Sequence, residues 1–172
     1  ATEGAPSLGP AAAPVDIVVF TDFQCPYCAR AAQMLHQVAD AHPETIRIVF
    51  KNFPLRSHPQ AKPAAAAALA AHRHGKFWAF HDRLFAEHNR LSAEKIRQIA
   101  ASLGFDADGL LQEAADPEIL ARIEQDYRDG QDAGVRGTPT IFVNGRLLQD
   151  RSMGGFEQAI VRELARQKGS GG

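Results

Sequence analysis

Apolar residues recur along the chain with two different periods, and the changes of period predict alternating strands and helices. Residues 15–20 are rich in β-branched and aromatic side chains, which is typical of a strand. A helix is predicted to begin directly afterwards at the cysteine pair, where Pro26 suits the first turn because no intrahelical amide donor is needed there. Its apolar positions at helical spacing are Ala31, Leu35 and Val38. Residues 45–50 alternate in polarity like a second strand, so the pattern predicts a parallel strand, helix, strand unit.

The middle of the chain, about residues 61–132, has a helical period throughout. It begins with an alanine-rich segment, and breaks at Gly75, Ser92, Gly104 and Pro117 divide the rest. The pieces that follow the alanine-rich segment are residues 77–85, 93–103, 107–115 and 118–127. The aromatic side chains of the first of these match a packed helical face, so we assign them to the core. The pattern therefore predicts a helical block inserted between strands.

The last part of the chain returns to the period of strands. Residues 140–143 and 146–149 flank Asn144-Gly145, which predicts a hairpin with a tight two-residue turn. A final helix is predicted after it, and its apolar stripe consists of Phe156, Ile160, Val161 and Leu164. The predicted fold class is therefore α/β, with an inserted helical block.

The domain organisation follows from length and local composition. A chain of 172 residues can bury one sizeable core, so we expect a single domain over residues 15–168. Residues 1–14 are rich in Ala, Pro and Gly and are expected to be a flexible leader, of the kind left after removal of a signal or at an engineered boundary. Residues 169–172 are expected to be a disordered tail.

Composition and charge exclude several classes of protein. Apolar residues make up 45% and charged residues 23%, as in ordinary globular proteins rather than disordered ones. No apolar run has the length needed to cross a bilayer. The net charge of −1 argues against nucleic acid as a partner, because such binders usually carry an excess of positive charge.

The two cysteines, Cys25 and Cys28, are the strongest candidates for chemistry. Cys25 is predicted at the mouth of the helix, where unpaired amides and the helix dipole favour a thiolate, so it is the candidate nucleophile. Cys28 lies on the apolar face of that helix and should be buried and protonated, as a resolving thiol. The pair predicts reversible thiol–disulfide exchange through a mixed disulfide, with no cofactor.

The cysteine pair has two alternative uses. A structural disulfide across so short a loop gives little chain-entropy benefit, and Pro26 fits a presented active turn better. Zinc or copper would normally need more soft ligands, and the sequence contains no second cysteine pair, so no metal site is predicted.

Three segments together resemble the bacterial DsbA-type family, thioredoxin-like proteins with a helical insertion. They are residues 21–28 (TDFQCPYC), 75–82 (GKFWAFHD) and 137–145 (GTPTIFVNG), and the resemblance covers about residues 15–167. It implies a thioredoxin-like fold and exchange with protein substrates. It also implies a cis peptide bond between Thr138 and Pro139 that faces Cys25 and lets the Thr138 backbone pair with an extended substrate strand. The alternative for Pro139 is a plain trans turn proline.

The dipeptide between the cysteines, Pro26-Tyr27, differs from the Pro-His of the best-known DsbA oxidases and is similar to that of glutaredoxins and some periplasmic isomerase-type proteins. The first functional hypothesis is a dithiol oxidase of DsbA type. The alternatives are a disulfide reductase or isomerase on the same scaffold, and a thiol-based copper-binding protein. Asp22 and Lys51, at the ends of the first two predicted strands, could tune the thiolate or relay a proton, or could simply be solvated.

The resemblance also implies where the protein works and with what. It indicates a bacterial protein of the periplasm or another extracytoplasmic space. The expected partners are protein substrates with thiols or disulfides and a membrane or soluble partner that recycles the cysteine pair. The protein is expected to act as a monomer and without nucleic acid.

Overall fold

The computed structural model describes residues 2–170, which form a mixed five-stranded sheet with seven helices. The strands are β1 (Ser7–Leu8), β2 (Val15–Thr21), β3 (Ile46–Asn52), β4 (Thr140–Val143) and β5 (Arg146–Leu147). The helices are α1 (Pro26–Ala41), α2 (Ala61–His72), α3 (Phe77–Ala86), α4 (Ala93–Ser102), α5 (Ala107–Ala114), α6 (Pro117–Asp132) and α7 (Met153–Ser170). Over these residues no helix combines the length and apolar character that a membrane span requires.

The sheet has the strand order β1-β3-β2-β4-β5. Strands β2 and β3 are parallel, as predicted, and Ile17 lies opposite Ile48. Strand β4 runs antiparallel to β2 on its other side and places Val143 opposite Ile17. The central position of β2 brings the start of α1 next to the start of β4, although the two are more than a hundred residues apart in sequence.

Alternation along the central strand separates two apolar clusters. Val15, Ile17 and Val19 are buried on one face, where they pack with side chains of α1 and α7. Phe20 belongs to the other cluster, with Phe53 and partly buried side chains that include Tyr127 of α6. The strand predicted over residues 15–20 is therefore present, and its burial alternates from Val15 to Val18.

The predicted helical block consists of α2 to α6, inserted between β3 and β4. Helix α2 lies at its centre, because every residue from 64 to 71 is buried. Seven of these eight positions are alanine, and side chains this small let α3, α5 and α6 pack closely around one helix. The aromatic side chains of α3 form part of this core, as predicted, with Phe77, Phe80 and Phe85 buried.

The region expected to be a flexible leader is different in the structure. Ser7–Leu8 pair with β3 as an antiparallel edge strand, and the Phe50 amide donates to the Pro6 carbonyl at 2.9 Å. The Trp78 indole also donates to the Ser7 carbonyl at 3.0 Å. The physical reason is that β3 would otherwise expose an unpaired edge.

The C-terminal end also differs from the expectation. Of the expected tail, Gly169 and Ser170 form the last turn of α7, and the final two residues lie outside the described part of the chain. The predicted hairpin is present, but β5 is limited to Arg146–Leu147. Its turn has positive φ at both central positions, 46° at Asn144 and 82° at Gly145, which is the conformation a tight two-residue hairpin requires.

Candidate functional site

The loop between β2 and α1 presents the first cysteine at the amino end of a helix. The Cys25 amide donates to the Asp22 carbonyl at 3.1 Å, and the Asp22 carboxylate accepts from the Gln24 amide at 2.7 Å. Cys25 is the N-cap residue of α1, with extended φ and ψ of −81° and 120°, and Pro26 follows in the first turn. No side-chain oxygen caps this helix, so the sulfur of Cys25 occupies the position where a capping acceptor would normally lie.

The Cys25 thiol is acidified by its surroundings. A hydrogen bond from the Cys28 side chain is the main cause, and it lowers the pKa of Cys25 from 9.0 to about 5 against an opposing effect of burial. The Thr138 side chain and the backbone amides of Cys28 and Tyr27 lower this pKa further. Donors directed at one sulfur stabilise its thiolate, which is the form that attacks disulfides. Cys25 is only 5% exposed, so a reacting sulfur must approach through a narrow opening.

Cys28 has the opposite character. It lies in the first turn of α1, is 1% exposed, and packs in the apolar cluster of the helical block. Burial is the main cause that raises the pKa of Cys28, and its hydrogen bond to Cys25 adds to this. Both cysteines are free thiols. The pair therefore consists of one thiol that ionises readily and one that holds its proton.

The segment before β4 faces the cysteine pair from the opposite side. The Thr138–Pro139 peptide bond is cis, and the Cys25 thiol donates to the Thr138 carbonyl over 3.6 Å. The Thr138 hydroxyl is buried without a hydrogen bond of ordinary geometry, yet it is close enough to both sulfurs to lower their pKa values. Arg151 fixes this segment by donating to the Pro139 carbonyl at 2.7 Å.

Tyr27, in the middle of the motif, is the exposed member of the site. Its side chain is 61% exposed, and the guanidinium of Arg30 lies 5.5 Å from the ring centroid. The exposed ring places apolar contact area beside the Cys25 sulfur.

Asp22 and Lys51, the two predicted tuning residues, are both buried but have other partners. The Asp22 carboxylate accepts from the Leu55 amide at 2.8 Å and contacts His58 Nδ1 at 2.9 Å. Lys51 contacts Asp126 at 3.0 Å and Asp129 at 2.7 Å, both on α6. These contacts hold the loop and helix α6 against the sheet, and the tuning of Cys25 by either residue stays a prediction.

One group near the site was missed at the sequence level. His36 of α1 and His81 of α3 both contact Asp82 Oδ1, at 2.8 Å and 2.9 Å. The three side chains offer ligand-type atoms within 4.8 Å of one another. His81 and Asp82 belong to residues 75–82, one of the segments that resemble the DsbA-type family. His36 lies 46 residues from Asp82 in sequence, so only the packing of α1 on α3 shows that the three side chains meet.

Comparison with known proteins gives consistent matches. Residues 1–162 match the family described as Thioredoxin. The chain is 39% identical over 139 residues to the Na(+)/H(+) antiporter NhaA 3 of Salinispora tropica, covering 80% of this chain and 21% of the antiporter. A thioredoxin-like oxidoreductase from Silicibacter pomeroyi DSS-3 superposes with a TM-score of 0.83 at 32% identity, covering 96% of this chain and 94% of that one. The thiol-disulfide exchange protein alpha-DsbA2 from Wolbachia pipientis gives 0.84 at 22% identity, covering 93% and 87%.

These matches confirm the predicted thioredoxin-like fold with a helical insertion and the resemblance to DsbA-type proteins. The chain spans about a fifth of the length of the antiporter relative, whereas it spans nearly all of the Silicibacter protein.

Proposed function

The chain belongs to the thioredoxin family, with the fold of DsbA-like thiol–disulfide oxidoreductases, and from that premise we propose that the protein is a dithiol oxidase. The observation that carries the proposal is the lowered pKa of Cys25, about 5. A stabilised thiolate stabilises the reduced form of the pair, and this makes the Cys25–Cys28 disulfide a stronger oxidant.

The oxidation proceeds in two exchanges. A substrate thiolate attacks Cys25 Sγ, the Cys25–Cys28 bond breaks, and Cys28 leaves with the electron pair. The second substrate thiolate then attacks the substrate sulfur of the mixed disulfide and releases Cys25 as a thiolate. Two electrons pass from the substrate dithiol to the cysteine pair. Attack falls on Cys25 because Cys28 is 1% exposed, and release is fast because a low-pKa thiolate is a good leaving group.

The substrate is proposed to be an extended polypeptide that docks beside Cys25. The Thr138 backbone next to Pro139 would pair with the substrate main chain as an added strand, and Tyr27 would contact its side chains. Recognition through main-chain groups suits an enzyme that must accept many sequences.

The working context is also a proposal. Disulfides persist in oxidising compartments, so we place the protein in the periplasm or another extracytoplasmic space of a bacterium. There it would act as a monomer and be reoxidised by a membrane or soluble partner. Asp22 and Lys51 would tune the Cys25 pKa through the field of their buried charges.

One observation favours a second candidate, a disulfide reductase or isomerase. This observation is the Pro26-Tyr27 dipeptide, which is similar to that of glutaredoxins and some isomerase-type proteins and changes the electrostatic surroundings of Cys25. About 30 mV of reduction potential corresponds to 1.4 kcal/mol, so a single contact can reverse the preferred direction of thiol–disulfide exchange.

The oxidase proposal is tested with the oxidised protein and a reduced dithiol peptide, followed by the appearance of the peptide disulfide. We expect stoichiometric oxidation by the wild type and none by Cys25→Ser, while Cys28→Ser should trap a mixed disulfide with a glutathione-blocked peptide. Rapid rescue of scrambled disulfides in the same preparation, with slow oxidation of the peptide, would instead support the isomerase.

A further inference from the structure

Resolution of a mixed disulfide requires Cys28 to lose its proton, and Cys25 cannot accept this proton because its sulfur is then bound in the disulfide. Whenever the reduced pair is reoxidised, Cys25 first forms a mixed disulfide with the oxidant, and Cys28 must then attack Cys25 Sγ. Cys28 is 1% exposed, so bulk water does not reach its sulfur freely. A base inside the protein is needed.

A small cavity connects Cys28 to two histidines. It offers about 10 Å³ to the centre of a water molecule, which is room for roughly one water. Cys28 and Thr21 line it, together with His36 of α1 and His81 of α3. The remaining lining side chains are apolar or aromatic. The histidines are therefore the bases that line the same small cavity as the buried thiol.

Of the two histidines, His81 has the environment of a base. It is buried among Phe23, Phe50, Phe77, Trp78 and Phe85. Its Nδ1 contacts Asp82 Oδ1 at 2.9 Å, and an N–H donated to that carboxylate leaves the lone pair on Nε2. His36 contacts the same carboxylate oxygen through its Nε2 and is only partly buried.

We propose that His81 accepts the Cys28 proton through a cavity water during resolution of the mixed disulfide, with Asp82 as the positioning residue that orients its imidazole. The inference rests on the proposed thiol–disulfide exchange. The proton passes from Cys28 Sγ to water and from water to His81 Nε2. The Cys28 thiolate forms a bond to Cys25 Sγ, the bond between Cys25 and the partner sulfur breaks, and the partner leaves as a thiolate. In the opposite direction, the imidazolium returns the proton to the departing Cys28.

The charges around His81 are compatible with this role. Burial lowers the pKa of His81, so at neutral pH it is the neutral imidazole that can accept a proton. The titratable groups that face it are Asp82 on its own helix and His36 and Cys28 on α1, while β2 and β3 present only apolar or hydroxyl side chains. Asp82 favours the protonated imidazole and His36 opposes it.

The test uses the reduced protein and excess 5,5′-dithiobis(2-nitrobenzoate) in a stopped-flow instrument. The first thionitrobenzoate released reports the attack of Cys25, and the second reports resolution by Cys28. General base catalysis typically contributes about 10²-fold or more, so His81→Gln should slow the second release by about that factor at pH 7. The first release should change less than about twofold. The wild-type rate of the second release should rise with pH through an inflection below 6.5 and then level off, because protonated His81 cannot accept a proton.

Asp82→Asn serves as the second variant, since the Asp82 side chain is 51% exposed and tolerates an isosteric change better than the buried ring does. It should slow the second release severalfold and move the inflection to lower pH, an effect that a purely structural role would not produce. The matched controls are His74→Gln and Glu113→Gln, which break a comparable pair at 2.9 Å in the helical block. Both controls should behave as wild type.

Equal slowing of both releases, or an unchanged second release in folded His81→Gln, overturns the role of His81. If His81→Gln does not fold, an unchanged inflection in Asp82→Asn overturns it. The oxidase proposal can fail independently of the role of His81. A low reduction potential together with a His81-dependent second release would contradict the oxidase direction and still support His81 as the proton acceptor.

Discussion

The hydrogen bond from Cys28 is the main reason for the acidity of Cys25, and this contact can be removed selectively. Cys28→Ala deletes the donor, while Cys28→Ser keeps a hydroxyl in nearly the same position. A hydrogen bond to a charged group contributes about 1.5–3 kcal/mol. Each pKa unit corresponds to 1.36 kcal/mol, so Cys28→Ala should raise the pKa of Cys25 by about 1 to 2, from about 5 to between about 6 and 7.

The assay is the rate of alkylation of Cys25 by iodoacetamide between pH 4 and 9, which follows the thiolate fraction. Both variants leave Cys25 as the single thiol, so the rate has one origin. The midpoint for Cys28→Ser should stay near that of the wild type, and the midpoint for Cys28→Ala should move to higher pH. Identical midpoints for the alanine and serine variants would refute the reasoning, because the acidity would then come from the helix amides or Thr138 alone.

Three further predictions follow from the site and its surroundings. The folded-state pKa of Cys25 lies below its ordinary value of 9.0, so the reduced protein should gain stability relative to the oxidised protein as pH rises from 5 to 9 and lose it as pH falls. Urea unfolding of the reduced and oxidised forms should show that the difference in their free energies of unfolding changes by at most about 1.4 kcal/mol per pH unit. A difference that does not change with pH contradicts the lowered pKa of Cys25. Thr138→Val should raise the alkylation midpoint of Cys25 by less than Cys28→Ala does, and an unchanged midpoint would remove the hydroxyl from the site. Lys51→Met should lower the free energy of unfolding by about 1.5–3 kcal/mol because it removes the charge-assisted contacts to Asp126 and Asp129, while Asp126 keeps Arg122 at 3.1 Å; a neutral effect in urea unfolding would show that the contacts of Lys51 are not needed.

The cysteine pair and its helix could be predicted because the information is local in sequence. A thiol at a helix start, a proline in the first turn and an apolar stripe behind the second thiol are visible within residues 15–38. The facing segment at Thr138 and Pro139 required the family resemblance, since nothing within that segment points to Cys25. The structure joins them through the pairing of β2 with β4.

Strand β1 and the end of helix α6 differ from the prediction. Strand β1 has two residues and exists because the edge of β3 needs a partner. Helix α6 was expected to end near residue 127 but continues to 132. Its last turn packs so closely on the sheet that a Cβ at Gly130 would lie 2.6 Å from the Phe53 ring. The helix ends where Gly134 adopts a positive φ of 84° and the Val135 amide donates to the Gly130 carbonyl at 2.8 Å, so a C-terminal glycine sets that boundary.

The cluster of His36, His81 and Asp82 could not be predicted because it is formed by tertiary contacts. The aromatic period of α3 predicts a buried face, and a histidine on such a face looks like another core side chain. Only the position of α3 against α1 shows that His81 shares a cavity with Cys28.

The central claim, that an acidified Cys25 makes this pair an oxidant, is tested most directly by equilibrating the protein with glutathione buffers and measuring the reduced fraction. Thioredoxin has a potential of about −270 mV and DsbA about −120 mV. The account predicts a Cys25–Cys28 potential well above that of thioredoxin, towards the DsbA value. A potential at or below about −270 mV would contradict it.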